Sequence, residues 1–129
     1  MTNAHDTNNF KVSEFACKHC GANEIDQKVL NMCQEIRDYL GVPVRVNSGY
    51  RCPVHNKNVG GVKNSKHVQG KACDLSCSLG GAKLFAAVKD LHDNKGQLKD
   101  LDYCIYYQKK NFIHIDCGGQ RNKLYEIRA

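Results

Sequence analysis

Two histidines and two aspartates carry the most specific chemical signal in this chain. The run Ser65-Lys66-His67-Val68-Gln69-Gly70-Lys71-Ala72-Cys73-Asp74 is followed later by Phe112-Ile113-His114-Ile115-Asp116. Residues two apart in a strand project from the same face. His114 therefore shares a face with Asp116, and Asp74 with Ala72, while Ile113, Ile115 and Cys117 enter the opposite layer. If the two strands are neighbours, His67, Asp74 and His114 converge from a loop and two strands. Three such ligands leave one tetrahedral position open, the arrangement of a catalytic zinc rather than a structural one. A single histidine on a strand is more often a hydrogen-bonded structural residue, but the surroundings here tip the balance. Phe112–Asp116 sets polar groups in a strand apolar enough to be buried, and buried polar groups need partners that a metal would supply. Gly70 and Ala72 add small residues beside the expected ion.

The elements that must hold these residues are readable from apolar spacing. Ile25, Val29, Cys33, Ile36 and Leu40 recur every three or four positions, so a helix is expected from Asn23 to Leu40, ended by Gly41 and Pro43. Val44 to Ser48 alternates like a strand. Gly49, Cys52-Pro53 and Gly60-Gly61 punctuate a long irregular segment after it. Residues 70–75 read as a short strand with Cys73 and Leu75 on its apolar face. Leu84, Phe85, Val88 and Leu91 predict a second helix over Gly80 to Asn94. Two strands at 101–107 and 111–117, joined by Gln108-Lys109-Lys110, predict a hairpin. Together these elements indicate an α+β domain with a small, mainly antiparallel sheet packed with helices. Residues 1–10 are polar and are expected to be a flexible lead-in, which leaves 11–129 as one domain of ordinary size.

Composition narrows the classes. With 19 basic and 13 acidic side chains the formal net charge is +6, which favours approach to an anionic surface. The cations are scattered and no helix carries a basic stripe with aromatics, so nucleic acid is not expected as a partner. No stretch approaches the ~20 apolar residues that cross a bilayer. The N-terminus lacks the basic start and apolar run of a signal peptide, so synthesis in the cytoplasm is expected.

The eight cysteines pull the other way, toward a disulfide framework. Cys17-Lys18-His19-Cys20 is a C-x-x-C element that suits half a zinc ribbon, a redox pair or a disulfide. A ribbon needs a second close pair, and Cys73 with Cys77 comes nearest to one. A thioredoxin-like role lacks its βαβ context. Cys33, Cys73 and Cys117 fall on apolar faces, where free thiols act as small core residues. Cys17, Cys20, Cys52 and Cys77 fall in loops and could pair in an oxidising medium.

The combination of Asn47-Ser48-Gly49-Tyr50-Arg51-Cys52-Pro53, His55-Asn56, Val59-Gly60-Gly61, Ser65-x-His67-x-x-Gly70-x-Ala72-x-Asp74 and Phe112–Asp116 resembles the zinc D-alanyl-D-alanine carboxypeptidases. Within them it is most similar to the small branch found among bacterial proteins and phage lysins, whose fold is shared with the hedgehog signalling domain. The resemblance implies one catalytic Zn2+ held by His67, Asp74 and His114, with water in the fourth place. It implies that Arg51 faces the substrate, where a guanidinium suits a peptide carboxylate or a developing oxyanion. Ser48 and Ser65 either bind substrate or serve as turn residues.

Better-known members carry a glutamate three residues before the last histidine ligand. Here that position is Asn111, and an amide cannot act as a base. Asp116 is the preferred replacement as catalytic base, with the rival role of orienting a histidine ligand. His55 is a weaker candidate for the base.

The implied activity is a zinc-dependent peptidase cutting peptidoglycan stem peptides, as a D-Ala-D-Ala carboxypeptidase or as an endopeptidase of the endolysin type. It would be a monomer acting at the cell wall after release. A non-catalytic zinc-containing binding module of the same fold is the alternative, motivated by Asn111. A redox or zinc-ribbon protein built on the cysteines is a third and weaker reading.

Overall fold

The chain's two long apolar stripes become helices that cover one face of a five-stranded sheet. The computed structural model describes residues 2–119 and 123–129. A short 3-10 turn, Val12–Phe15, leads into α1 (Gln27–Leu40), β1 (Val44–Ser48), α2 (Pro53–Asn58), β2 (Ala72–Cys77), α3 (Gly81–Lys95), β3 (Tyr103–Tyr107), β4 (Phe112–Asp116) and β5 (Tyr125–Arg128). The strand order is β1-β2-β4-β3-β5. Pairing is antiparallel throughout except for β3 with β5, which run parallel. The α+β architecture with a mainly antiparallel sheet is thus as expected.

Helix α1 starts later than its apolar period suggests, because the Asp26 carboxylate accepts the Lys28 N–H at 2.9 Å and caps the first turn. Gly41, at φ 69, closes the other end with its N–H donated to the Arg37 carbonyl. Val29, Leu30, Cys33 and Ile36 of α1 meet Leu84, Val88 and Leu91 of α3 and the sheet residues Cys73, Leu75, Cys104, Ile113 and Ile115, all buried in one core. Each fully buried aliphatic side chain there contributes about 1.5–3 kcal/mol of transfer free energy. Because side chains alternate, burying Cys73, Leu75, Ile113 and Ile115 against the helices turns Asp74, His114 and Asp116 to the other face. Core packing thereby sets the site.

Three features differ from the sequence reading. The segment expected as a flexible lead-in lies along α1: the Asn9 N–H and the Thr7 hydroxyl both donate to Gln34 Oε1 at 2.8 Å. Phe10 is buried in the core beside Phe15, ring centroids 6.1 Å apart. Within the segment expected to be irregular, α2 forms because Pro53 occupies its first turn and the Cys52 sulfur accepts the His55 N–H at 3.4 Å. The third is β5, a four-residue edge strand too short to show a period.

Gly70 is small for a different reason than the one expected. It sits at φ +72 and a Cβ there would stand 1.9 Å from the Glu24 carbonyl oxygen, so the residue fits the approach of the chain before α1, not an ion.

Candidate metal centre

Sheet register brings the three expected ligands together. Asp74 on β2 pairs directly with His114 on β4, and residues paired across antiparallel strands share a face. His67 arrives from the turn before β2. That turn is held by the Ser65 hydroxyl, which accepts the His67 N–H at 3.1 Å. The Nε2 of His67 stands 3.2 Å from Asp74 Oδ1, and the Nδ1 of His114 stands 3.1 Å from the same oxygen. A tetrahedral zinc with bonds of about 2.0–2.1 Å needs ligand atoms about 3.3 Å apart, so both distances to Asp74 fit, and all three ligand atoms lie within 4.8 Å of one another.

The outward nitrogens decide the electronic state of both rings. His67 Nδ1 lies 2.8 Å from the Gly49 carbonyl oxygen. A carbonyl only accepts, so Nδ1 carries the proton and donates it. His114 Nε2 lies 2.8 Å from Asp116 Oδ2 and donates to that carboxylate. Each neutral ring then turns a lone pair toward Asp74 Oδ1, and three electron-rich atoms face one another in a largely buried space. Such a cluster requires a cation, either a proton or a metal ion.

Ionisation follows the same logic. Burial pushes the Asp74 carboxyl up, but the His114 and His67 rings outweigh it and hold the group well below the ordinary carboxylate range. Burial pushes His114 down, whereas Asp116 and Asp74 carry it up to about 9. Without metal, the ring keeps a proton at neutral pH.

Arg51 lies inside this network. Its Nε donates to Ser48 Oγ at 3.1 Å, one terminal nitrogen to Asn56 Oδ1 at 3.3 Å and the other to Asp74 Oδ2 at 3.3 Å. The guanidinium thus occupies the second oxygen of Asp74 and leaves Oδ1 for the two histidines. Ser48 holds Arg51 and Ser65 holds the His67 turn. Asp116 is fully buried, with Oδ2 on His114.

Asn111 has another task. At φ 59 it closes the β3–β4 turn, and its Oδ1 accepts the Gly81 N–H at 2.7 Å at the start of α3. An asparagine tolerates that left-handed backbone and caps the helix. His55 stacks on His19, ring centroids 6.0 Å apart, beside the cysteines of the 17–20 element.

Tyr103 was missed in the sequence. Its ring meets His114 edge-on at 6.4 Å and its hydroxyl donates to Glu126. The signal lay in strand alternation, since Tyr103 pairs with Asp116 across β3 and β4.

This cluster of candidate ligands agrees with what most of the sequence matches. Residues 8–116 match the Peptidase M15 family. The protein belongs to that family. Over 64 residues this M15 chain is 39% identical to the zinc D-Ala-D-Ala carboxypeptidase of Streptomyces albus G, a stretch amounting to 49% of this chain and 24% of that enzyme. The match therefore spans about a quarter of that relative's length. No helix among the described residues of this M15 protein is long and apolar enough to cross a membrane.

Proposed function

We propose that the protein is a zinc peptidase that hydrolyses peptide bonds in peptidoglycan stems, of the D-Ala-D-Ala carboxypeptidase or the endopeptidase type. The observation that carries this reading is the convergence of two imidazole nitrogens on one carboxylate oxygen at distances suited to zinc ligands. His67, Asp74 and His114 would hold one Zn2+. When bound, the ion supplies a Lewis acid that polarises the scissile carbonyl and activates water at neutral pH.

The remaining residues prepare that centre. Asp116 fixes the tautomer of His114 so that Nδ1 faces the ligand cluster, which makes it a positioning residue rather than the base. Arg51 fixes Asp74, and its donors outside the three bonds are available to a substrate carbonyl or carboxylate. A cleft lined by Pro53, Asn56, Lys57, Gly61, Lys63 and Val68 begins at Asn56, a partner of Arg51, and its two lysines suit an anionic peptide end. The positive net charge favours encounter with an anionic wall, in keeping with wall degradation by an endolysin-like monomer after release.

One observation favours a second reading, a zinc-containing binding module without hydrolysis. Asn111 caps α3 where a catalytic glutamate would be expected, so no carboxylate occupies that position. Incubating the protein with purified peptidoglycan and identifying released fragments by mass spectrometry separates the two. The peptidase reading expects zinc-dependent new peptide termini that His114→Ala does not produce. Zinc-loaded protein that releases nothing from walls of several cross-link types would leave the binding module.

A further inference from the structure

A second group of metal-type ligands stands apart from the histidine–aspartate centre. The sulfurs of Cys17, Cys20 and Cys52 all lie within 4.8 Å of one another, and none of the three is in a disulfide. We infer that Cys17, Cys20 and Cys52, with His19 as the fourth ligand, form a structural zinc site.

The local backbone is shaped for it. In Cys17-Lys18-His19-Cys20-Gly21 the Gly21 N–H donates to the Cys17 carbonyl at 2.8 Å, and the Cys17 N–H donates to the Ala22 carbonyl at 2.7 Å. Gly21 at φ +77 makes the reversal, and the knuckle brings both sulfurs within reach of Cys52. Cys52 comes from 35 residues away, where it precedes Pro53 and caps α2. Its N–H donates to Cys17 Sγ at 3.4 Å, and its own sulfur accepts the His55 N–H at 3.4 Å. Main-chain donors aimed at sulfur stabilise thiolates, the form that binds metal.

The donor count favours a metal over a disulfide. A disulfide would join two sulfurs and strand the third, whereas a tetrahedral ion uses all three and takes one nitrogen. His19 Nδ1 stands 3.6 Å from Cys52 Sγ but outside the group in which the three sulfurs lie within 4.8 Å of one another, so its ring must turn toward the other two sulfurs to complete the set. Zinc bonds of about 2.3 Å to sulfur and 2.0–2.1 Å to nitrogen place a bound S and N about 3.5 Å apart. Four protein ligands close the coordination sphere, so this site is structural and takes no substrate.

Its position couples it to the catalytic centre. The Tyr50 N–H donates to the Phe15 carbonyl at 2.8 Å, and a Cβ on Gly49 would come within 2.6 Å of the Phe15 backbone, so the two segments touch beside the cysteines. The Gly49 carbonyl orients His67, and Arg51 orients Asp74. An ion joining Cys17 and Cys20 to Cys52 would clamp the segment that aligns both ligands.

Metal content and cobalt spectra of the full chain, produced and kept reduced, test this independently of hydrolysis. Wild type is expected to hold two equivalents of zinc, and His114→Ala one. Cobalt-loaded His114→Ala should show the near-ultraviolet thiolate-to-cobalt charge-transfer band of a tetrahedral sulfur-rich site. Adding Cys20→Ser, at an exposed position that spares the core, should abolish the band. His19→Ala should weaken cobalt retention tenfold or more, and His55→Ala should not. His114→Ala protein without metal, cobalt bound without the thiolate band, or a disulfide among the three cysteines would overturn the site. An unchanged His19→Ala would overturn the fourth ligand.

Discussion

The histidine–aspartate cluster and the cysteine cluster sit on the same chain but are assembled by different physics. Asp74 and His114 are paired across adjacent strands, so their approach is imposed by main-chain register and by the apolar residues that alternate with them. Cys17, Cys20 and Cys52 meet between a tight turn and the end of a short helix, outside any strand ladder. A site built on paired strands is preorganised before its ion arrives, while one built on loops depends more on the ion for its own order. Hence the first cluster suits catalysis and the second suits a staple.

Removing a ligand from the first cluster should give the largest effect. His114→Ala is expected to lower hydrolysis of a stem peptide by about a thousandfold or more, the loss of several kcal/mol of metal-supplied stabilisation. Steady-state kinetics on released D-alanine or cross-link fragments would check it. The fold should remain, because Ile113 and Ile115 on the other face of β4 are untouched; circular dichroism reads this.

Asp116→Asn separates positioning from proton transfer. It should weaken zinc affinity by about 10–100-fold, the usual cost of losing a carboxylate behind a histidine ligand, and saturating zinc should return activity to within about tenfold of wild type. A true general base would leave activity down by about 10²–10⁴-fold at any zinc concentration.

The first cluster should also respond to pH through one ring. In the metal-free protein His114 is raised to about 9 from an ordinary 6.5, so below that pH zinc must displace its proton. Affinity for this centre should rise about tenfold per pH unit up to about pH 9 and then flatten, as read from the zinc concentration giving half-maximal hydrolysis. The sign for metal-free stability is opposite. The raised pKa stabilises the fold fully below about 6.5, and that contribution is lost as pH rises through about 9.

Smaller effects sharpen the contrast. Cys20→Ser should lower the thermal midpoint by several degrees, and chelator should do the same to wild type. Ser48→Ala removes one hydrogen bond to Arg51 and should cost about 1 kcal/mol, measured by denaturant unfolding.

How much of this was readable in the sequence depends on distance along the chain. Strand alternation placed His114 and Asp116 on one face, and apolar spacing found α1, α3 and the hairpin, because these patterns are local. The pairing of β2 with β4 could be posed only as a condition. A contact between Asp116 and a histidine ligand was one of two roles open to it in the sequence, and the contact with His114 Nε2 itself needed side-chain geometry. The role of Asn111 was hidden because its partner, Gly81, lies 30 residues away. Cys17 and Cys52 were hidden in the same way, and spacing rules that look for close cysteine pairs miss a third ligand from a distant helix cap. Gly70 was misread for a related reason, since its neighbour is the main chain before α1.

The most direct test of the central claim is to strip all metal from the wild-type protein and follow stem-peptide hydrolysis as zinc is returned. Hydrolysis should be absent at the start and reappear as the His67–Asp74–His114 centre fills, with no recovery in His114→Ala although that variant still binds zinc at its cysteines. Hydrolysis by metal-free protein, or equal recovery in His114→Ala, would contradict the account.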